Sequence, residues 1–148
     1  MDITFHLEEL AIIVEEKIKP LLNDYAIIVF KGQLGAGKTT VIKELLKLCG
    51  IKEVITSPTF SYVNSYANNK DQMFHHFDLY RINSQDQFME LGFDEYFYQE
   101  NSWCLIEWPE VINTLLKEIN TKKHVYICAL EHVYGDINKR RLLLSPFS

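Results

Sequence analysis

Apolar residues along this chain alternate between two rhythms. Leu7, Leu10, Ala11, Val14 and Ile18 recur at helical spacing, with Glu8, Glu9, Glu15, Glu16, Lys17 and Lys19 mostly on the other side. That pattern predicts a first helix ending near Pro20. Ala26–Phe30 is a short, continuous β-branched run of the kind that suits a central strand covered on both faces. Thr39–Leu48 returns to helical spacing through Val41, Leu45 and Leu48, and Gly50 marks its stop. A short strand is expected at Ile51–Ile55. Phe60–Tyr66 and Met73–Leu79 flank Ala67–Asp71 and read as a β-hairpin with a five-residue connection.

Farther along, Ser84 is placed to cap a helix with Gln87 three positions on, and Phe88 and Leu91 give it an apolar stripe up to Gly92. Phe93–Tyr98 continues for a turn or two. Trp103–Ile106 is another compact strand, broken by Glu107-Trp108-Pro109, after which Val111, Ile112, Leu115 and Ile119 are helical again. His124–Leu130 and Arg140–Leu144, joined through the Gly135-Asp136 turn, predict a closing hairpin. Repeats, low-complexity tracts and linkers are absent.

One strand-to-helix junction carries chemistry. Residues 32–40 read G-Q-L-G-A-G-K-T-T, which fits the phosphate-binding pattern G-x-x-x-x-G-K-[ST] at every required position. The glycines let backbone N–H groups curl around phosphate oxygens. Lys38 adds a mobile cation for the outer phosphates, and the hydroxyl of Thr39 suits the coordination shell of a magnesium ion bridging them. The helix that opens here points its positive end at the anion. The nucleotide contacts are therefore expected from Gln33, Leu34, Gly35, Ala36, Gly37, Lys38, Thr39 and Thr40. With the strand assignments, this predicts an α/β, three-layer P-loop NTPase-like fold: a mixed central sheet with antiparallel hairpins, flanked by helices.

Composition narrows the setting. At 148 residues and 47% hydrophobic, the chain is long enough to bury one substantial core and is expected to form a single P-loop ATPase domain over residues 1–148. Cys49, Cys104 and Cys128 are scattered, odd in number and set among apolar residues, so they read as reduced thiols rather than a disulfide framework or zinc site. The amino terminus lacks the basic-then-apolar pattern of a leader, and Ala26–Phe30 is too short to span a bilayer, so a cytoplasmic protein without membrane association is the expectation. A net charge of −5 argues against tight, autonomous nucleic-acid binding through a basic face.

A phosphate loop needs an acidic partner for the hydrated magnesium, and two strand ends supply one. Asp78 closes Met73–Phe77 and Glu107 closes Trp103–Ile106. Because ligands in open α/β sheets lie beyond the carboxyl ends of the strands, both acids are candidates to face the phosphates. Glu107 has two roles open to it, binding magnesium or positioning the attacking water, and spacing alone does not divide them. Ser57 and Thr59, in a loop held by Pro58, suit either a γ-phosphate sensor or an ordinary turn. Trp108 suits either a cover for the site or core packing. His75 and His76 lack metal-ligand spacing and read as structural.

Arginine is scarce, with only Arg81, Arg140 and Arg141 to stabilise charge in phosphoryl transfer. No D-x-x-G follows the loop and no N-K-x-D occurs, although Asn69-Lys70-Asp71 comes close, so adenine is the expected base. A small-molecule P-loop kinase is the alternative, and it usually carries an arginine-bearing lid that is missing here.

The phosphate loop together with S-P-T-F (57–60), H-F-D-L-Y-R (76–81), E-L-G-F (90–93) and I-E-W-P-E (106–110), in that order, resembles the TsaE (formerly YjeE) family. These are small P-loop ATPases of tRNA threonylcarbamoyladenosine synthesis. The resemblance covers most of the chain. It implies magnesium association for Thr39 and Glu107, catalysis or an outer metal shell for Asp78, and a tryptophan near the active site at Trp108. It gives catalytic parts to Lys38, Asp78 and Glu107. It also implies ATP and Mg2+ as ligands, TsaD and TsaB as partners, and contact with tRNA only through that complex. The ATPase would be weak alone and would support repeated threonylcarbamoyl transfer to adenosine 37 of ANN-decoding tRNAs. One departure stands out: the second loop position, commonly acidic in that family, is Gln33 here.

Overall fold

The computed structural model describes residues 1–148. Seven strands form one mixed sheet in the order β1-β7-β6-β2-β5-β4-β3. They run β1 Asp2–His6, β2 Ile27–Lys31, β3 Val63–Ala67, β4 Met73–Asp78, β5 Ser102–Glu107, β6 Val125–Val133 and β7 Asp136–Pro146. Strands β6, β2, β5 and β4 are mutually parallel, whereas β1–β7, β6–β7 and β3–β4 pair antiparallel. The expected α/β fold with a mixed sheet, flanking helices and antiparallel hairpins is therefore the observed one.

Strand β2 sits between β5 and β6, and four of its five residues are fully buried. Its apolar run is continuous because both faces are covered. On one face, as an upper core, Ile28, Phe30 and Leu105 pack with Val41, Ile42, Leu45 and Leu46 of helix α2 (Lys38–Leu48) and with Val14 and Ile18. On the other, as a lower core, Ile27, Val29 and Ile106 meet Leu115, Leu116 and Ile119 of helix α4 (Asn113–Asn120) and Phe88 of the short helix α3 (Gln85–Glu90). Ser84 caps α3 as expected, its hydroxyl accepting from the Gln87 N–H at 3.1 Å. No helix is long and apolar enough to cross a membrane.

Four local expectations change. The first helical segment continues past Pro20 in four pieces: a 3-10 turn at Leu7–Glu9, α-helix α1 at Leu10–Ile13, a π-turn at Val14–Ile18 and a second 3-10 turn at Lys19–Asn23. Pro20 lies in the first turn of that last piece, where a missing N–H costs nothing. The strand expected at Ile51–Ile55 does not form: no strand pairs with it, and Val54 is 84% exposed. The hairpin strand begins at Val63 instead of Phe60, because Tyr62 takes a left-handed turn at φ 64°. Finally, the amino-terminal residues form the edge strand β1, which offers only Ile3 and Phe5 as apolar positions and so carries little periodic signal.

Candidate functional site

The phosphate loop joins β2 to α2 at the carboxyl end of the parallel strands, where a crevice ligand belongs in this architecture. Gly32 leaves the strand at φ 151°, and Gly37 opens the helix at φ 106°. A Cβ on Gly37 would meet no protein atom within 4 Å, so that glycine is required by backbone conformation and by whatever approaches the loop from outside. The cleft beside it has a volume of about 470 Å³ and is walled by Leu34, Lys38, Thr39, Thr40, Ser57, Thr59, Asp78, Tyr80, Arg81, Glu107 and Trp108.

The residues expected at the site come together from four distant stretches of chain. Thr39 in the first turn of α2 donates to both oxygens of Glu107, at 2.8 and 2.9 Å. Glu107 ends β5, is only 2% exposed, and stands in register with Asp78 at the end of β4. Lys38 donates to the carbonyls of Gly32 and Gln33, the latter at 3.1 Å, and its ammonium lies 3.9 Å from the centre of the Trp108 ring. Ser57 and Thr59 both reach the cleft. Trp108 resolves its two readings by doing part of each: it packs against the lower core, yet faces Lys38 and Tyr80, the latter at 4.9 Å between ring centres. It turns back over the loop through φ 57°, ψ 55°, a conformation that costs a bulky residue energy.

Not every loop residue points a side chain inward. Gln33 is exposed on the outer side of the loop, beside Glu110, Glu131 and His132. Ala36 is buried in the upper core, so only its backbone is available to a ligand, and its carbonyl accepts from Arg140 Nε at 3.0 Å. Sequence reasoning did not anticipate that brace from β7. Nor did it connect His76 to the site: His76 is fully buried, and its Nε2 lies 2.6 Å from Glu107 Oε2. The available signal was the two-residue alternation of β4, which puts His76 on the same face as Asp78. His75 points the opposite way, to Ser65 at 2.7 Å and Gln99 at 2.8 Å, and is structural as read. All three cysteines are free thiols.

Burial sets the electrostatics. It pushes Lys38 below the usual lysine range, with the carboxylates of Glu107, Glu110 and Asp78 opposing. Burial also pushes Asp78 up, chiefly against the hydrogen bond from the Tyr80 N–H at 3.0 Å, and neighbouring Glu107 adds to the rise. A carboxyl raised in the fold stabilises fully below its unfolded value of 3.8, and that contribution is lost as pH rises through the folded value. Ionised Asp78 is thus a standing cost at neutral pH. Asp78→Asn should melt a few degrees higher than the parent at pH 7, and the gain should shrink towards nothing near pH 3. A gain of equal size at both pH values in calorimetry would contradict this assignment.

The donor set is oxygen-rich, with a hydroxyl and two carboxylates grouped below a cationic loop. That is the chemistry of a hard divalent cation bound to phosphates. Glycines at φ 81° and 106° in Gly35 and Gly37, with open space above them, fit an anion held by backbone N–H groups.

The family model described as "Threonylcarbamoyl adenosine biosynthesis protein TsaE" matches residues 6–140. Among curated proteins, the tRNA threonylcarbamoyladenosine biosynthesis protein TsaE of Rickettsia felis is 39% identical over 110 residues, covering 74% of this chain and 60% of the relative. That of Rickettsia prowazekii is 40% identical over 112 residues, covering 72% and 73%. The Bacillus subtilis protein of the same name is 37% identical over 92 residues, covering 62% and 56%. The chain thus spans about three fifths of the length of the R. felis relative. Among solved structures, the one described as "Crystal structure of Bacillus subtilus YdiB" superposes with a TM-score of 0.66 at 24% identity, covering all of this chain and 87% of the other. At that identity the likeness is one of fold.

Proposed function

The chain belongs to the TsaE family, and from that membership we propose that it is a magnesium-dependent ATPase of tRNA threonylcarbamoyladenosine synthesis. In this reading it is one domain that acts in the cytoplasm on a complex of TsaD and TsaB, with ATP hydrolysis supporting their repeated turnover. The observation that carries the ATPase assignment is the contact of Thr39 with both oxygens of Glu107, directly beneath Lys38 and the glycine loop. It joins the first helical turn of a phosphate cradle to a buried strand-end carboxylate, which is where a metal–triphosphate complex needs them.

Each group has a part. The N–H groups of residues 33–40 cradle the phosphates, and Lys38 neutralises their outer oxygens. Thr39 and Glu107 would hold Mg2+, which supplies charge neutralisation between the phosphates. Asp78, beside Glu107 and raised by burial, is placed to orient the water that attacks. Arg81 lines the same cleft, with its guanidinium 5.4 Å from the Phe60 ring, and is the one arginine there to meet developing charge. The scarcity of arginine supports weak hydrolysis by the isolated protein. The net charge of −5 supports contact with tRNA through partners rather than directly.

The test is phosphate release from ATP by the isolated protein and in the presence of TsaB and TsaD. Slow, magnesium-dependent release that rises strongly with the partners is expected. Phosphate transfer to a small acceptor without partners would replace this reading with a kinase.

A further inference from the structure

His76 is the one fully buried titratable side chain at the site with no function yet attached. It lies on β4, two residues before Asp78 and on the same face, at 0% exposure. Its Nε2 is 2.6 Å from Glu107 Oε2, while its Nδ1 is buried with no hydrogen-bond partner at all. An unpaired buried ring nitrogen costs stability, and an apolar residue of similar size would avoid that cost. Packing alone therefore does not account for a histidine here.

The hydrogen-bond inventory assigns the ring's form. Ionised Glu107 can only accept, so the proton in the short contact belongs to His76 Nε2. The bare Nδ1 is then an acceptor facing nothing, which is less demanding than a stranded N–H. Glu107 is consequently held from both sides: Thr39 donates from α2 and His76 donates from β4. Its carboxylate plane is fixed by two elements that the sheet register and the upper core keep rigid.

We infer that His76 is a positioning residue that donates from Nε2 to Glu107 and fixes that carboxylate in the orientation needed to bind a divalent cation beside the phosphate loop. This rests on the reading of Glu107 as a metal-associated acid. Outer partners of this kind typically alter metal affinity by about 10–100-fold when removed.

A pair of substitutions isolates the hydrogen bond. Glutamine places an N–H donor the same number of bonds from Cα as His76 Nε2, and methionine has the same length without a donor. Mn2+ affinity in the presence of ADP, read by electron paramagnetic resonance, should fall about 10–100-fold in His76→Met and stay within a few-fold of the parent in His76→Gln. ADP affinity without divalent metal should be unchanged in both. Parent-like Mn2+ binding by His76→Met, while Glu107→Gln is impaired, overturns the role of His76 alone. Parent-like binding by Glu107→Gln removes the metal role of Glu107 and this inference with it. Equal losses in folded His76→Met and His76→Gln would point to ring shape and overturn the donor role. Should the methionine variant not fold, His76→Leu takes its place, and failure of both to fold makes His76 structural and likewise overturns the inference.

Discussion

Lys38→Ala and Glu107→Gln should each reduce partner-stimulated phosphate release by on the order of 10²–10³-fold. For Lys38 the reason is preorganisation. Its ammonium is already withdrawn from water, held beside the loop by the carbonyls of Gly32 and Gln33 and faced by Trp108, so little desolvation is left to be met when it turns to phosphate oxygens. Burial disfavours its charge in the free protein and offsets the two hydrogen bonds lost with it, so removing it should change the melting temperature little. Activity and stability would then separate cleanly. For Glu107, glutamine keeps the shape and can still accept from Thr39, but it removes the negative charge that Thr39 and His76 jointly orient. Glu107→Ala should lose activity equally and stability besides, because His76 would be left with neither ring nitrogen partnered. Rates equal to the parent in either variant with partners present would remove that residue from the site.

Gly32→Ala should be the most damaging small change to the fold near the site, costing about 3 kcal/mol and lowering the melting temperature by about 10 °C. A Cβ there would sit 2.6 Å from the Leu130 carbonyl oxygen and 3.2 Å from the Ala36 Cβ. The first neighbour is backbone of β6, pinned in the sheet by its pairing with both β2 and β7. It cannot give way as a flexible side chain would. The φ of 151° adds strain for any residue with a Cβ. Gly35→Ala is the matched control: its φ of 81° is also unfavourable, yet its Cβ meets nothing within 4 Å. It should cost about 1 kcal/mol. Equal melting temperatures for the two variants would show that close approach of the strands is not the governing term.

Which features could be read from the sequence follows from the range of the interactions that set them. The loop at 32–40 and the strand and helix on either side are local, fixed by glycine conformation and apolar spacing, and they stand where the pattern puts them. Asp78 and Glu107 were legible as charges closing apolar strands, and the register Asp78↔Glu107 sets them side by side. The π-turn at Val14–Ile18 was not legible, because spacings of 3, 4 and 5 residues are nearly the same over so short a run. The loop at 51–62 departs from the strand its apolar residues predict because its anchors lie elsewhere: Thr56 is tied to the Tyr66 hydroxyl and to Asn64, both in β3. The part played by His76 depends on pairing between β4 and β5, which are joined through 23 intervening residues from Leu79 to Asn101.

The chain's only two tryptophans bracket strand β5, Trp103 near its start and Trp108 one residue past its end. Trp103 lies at the far end, stacked on Phe74 at 5.2 Å and donating from its indole to the Leu22 carbonyl. Trp108 faces the lysine of the phosphate loop. Intrinsic fluorescence therefore has two spatially separate tryptophan sources, one in contact with the Lys38 ammonium and one remote from it, so the protein carries its own optical reporter and its own internal reference.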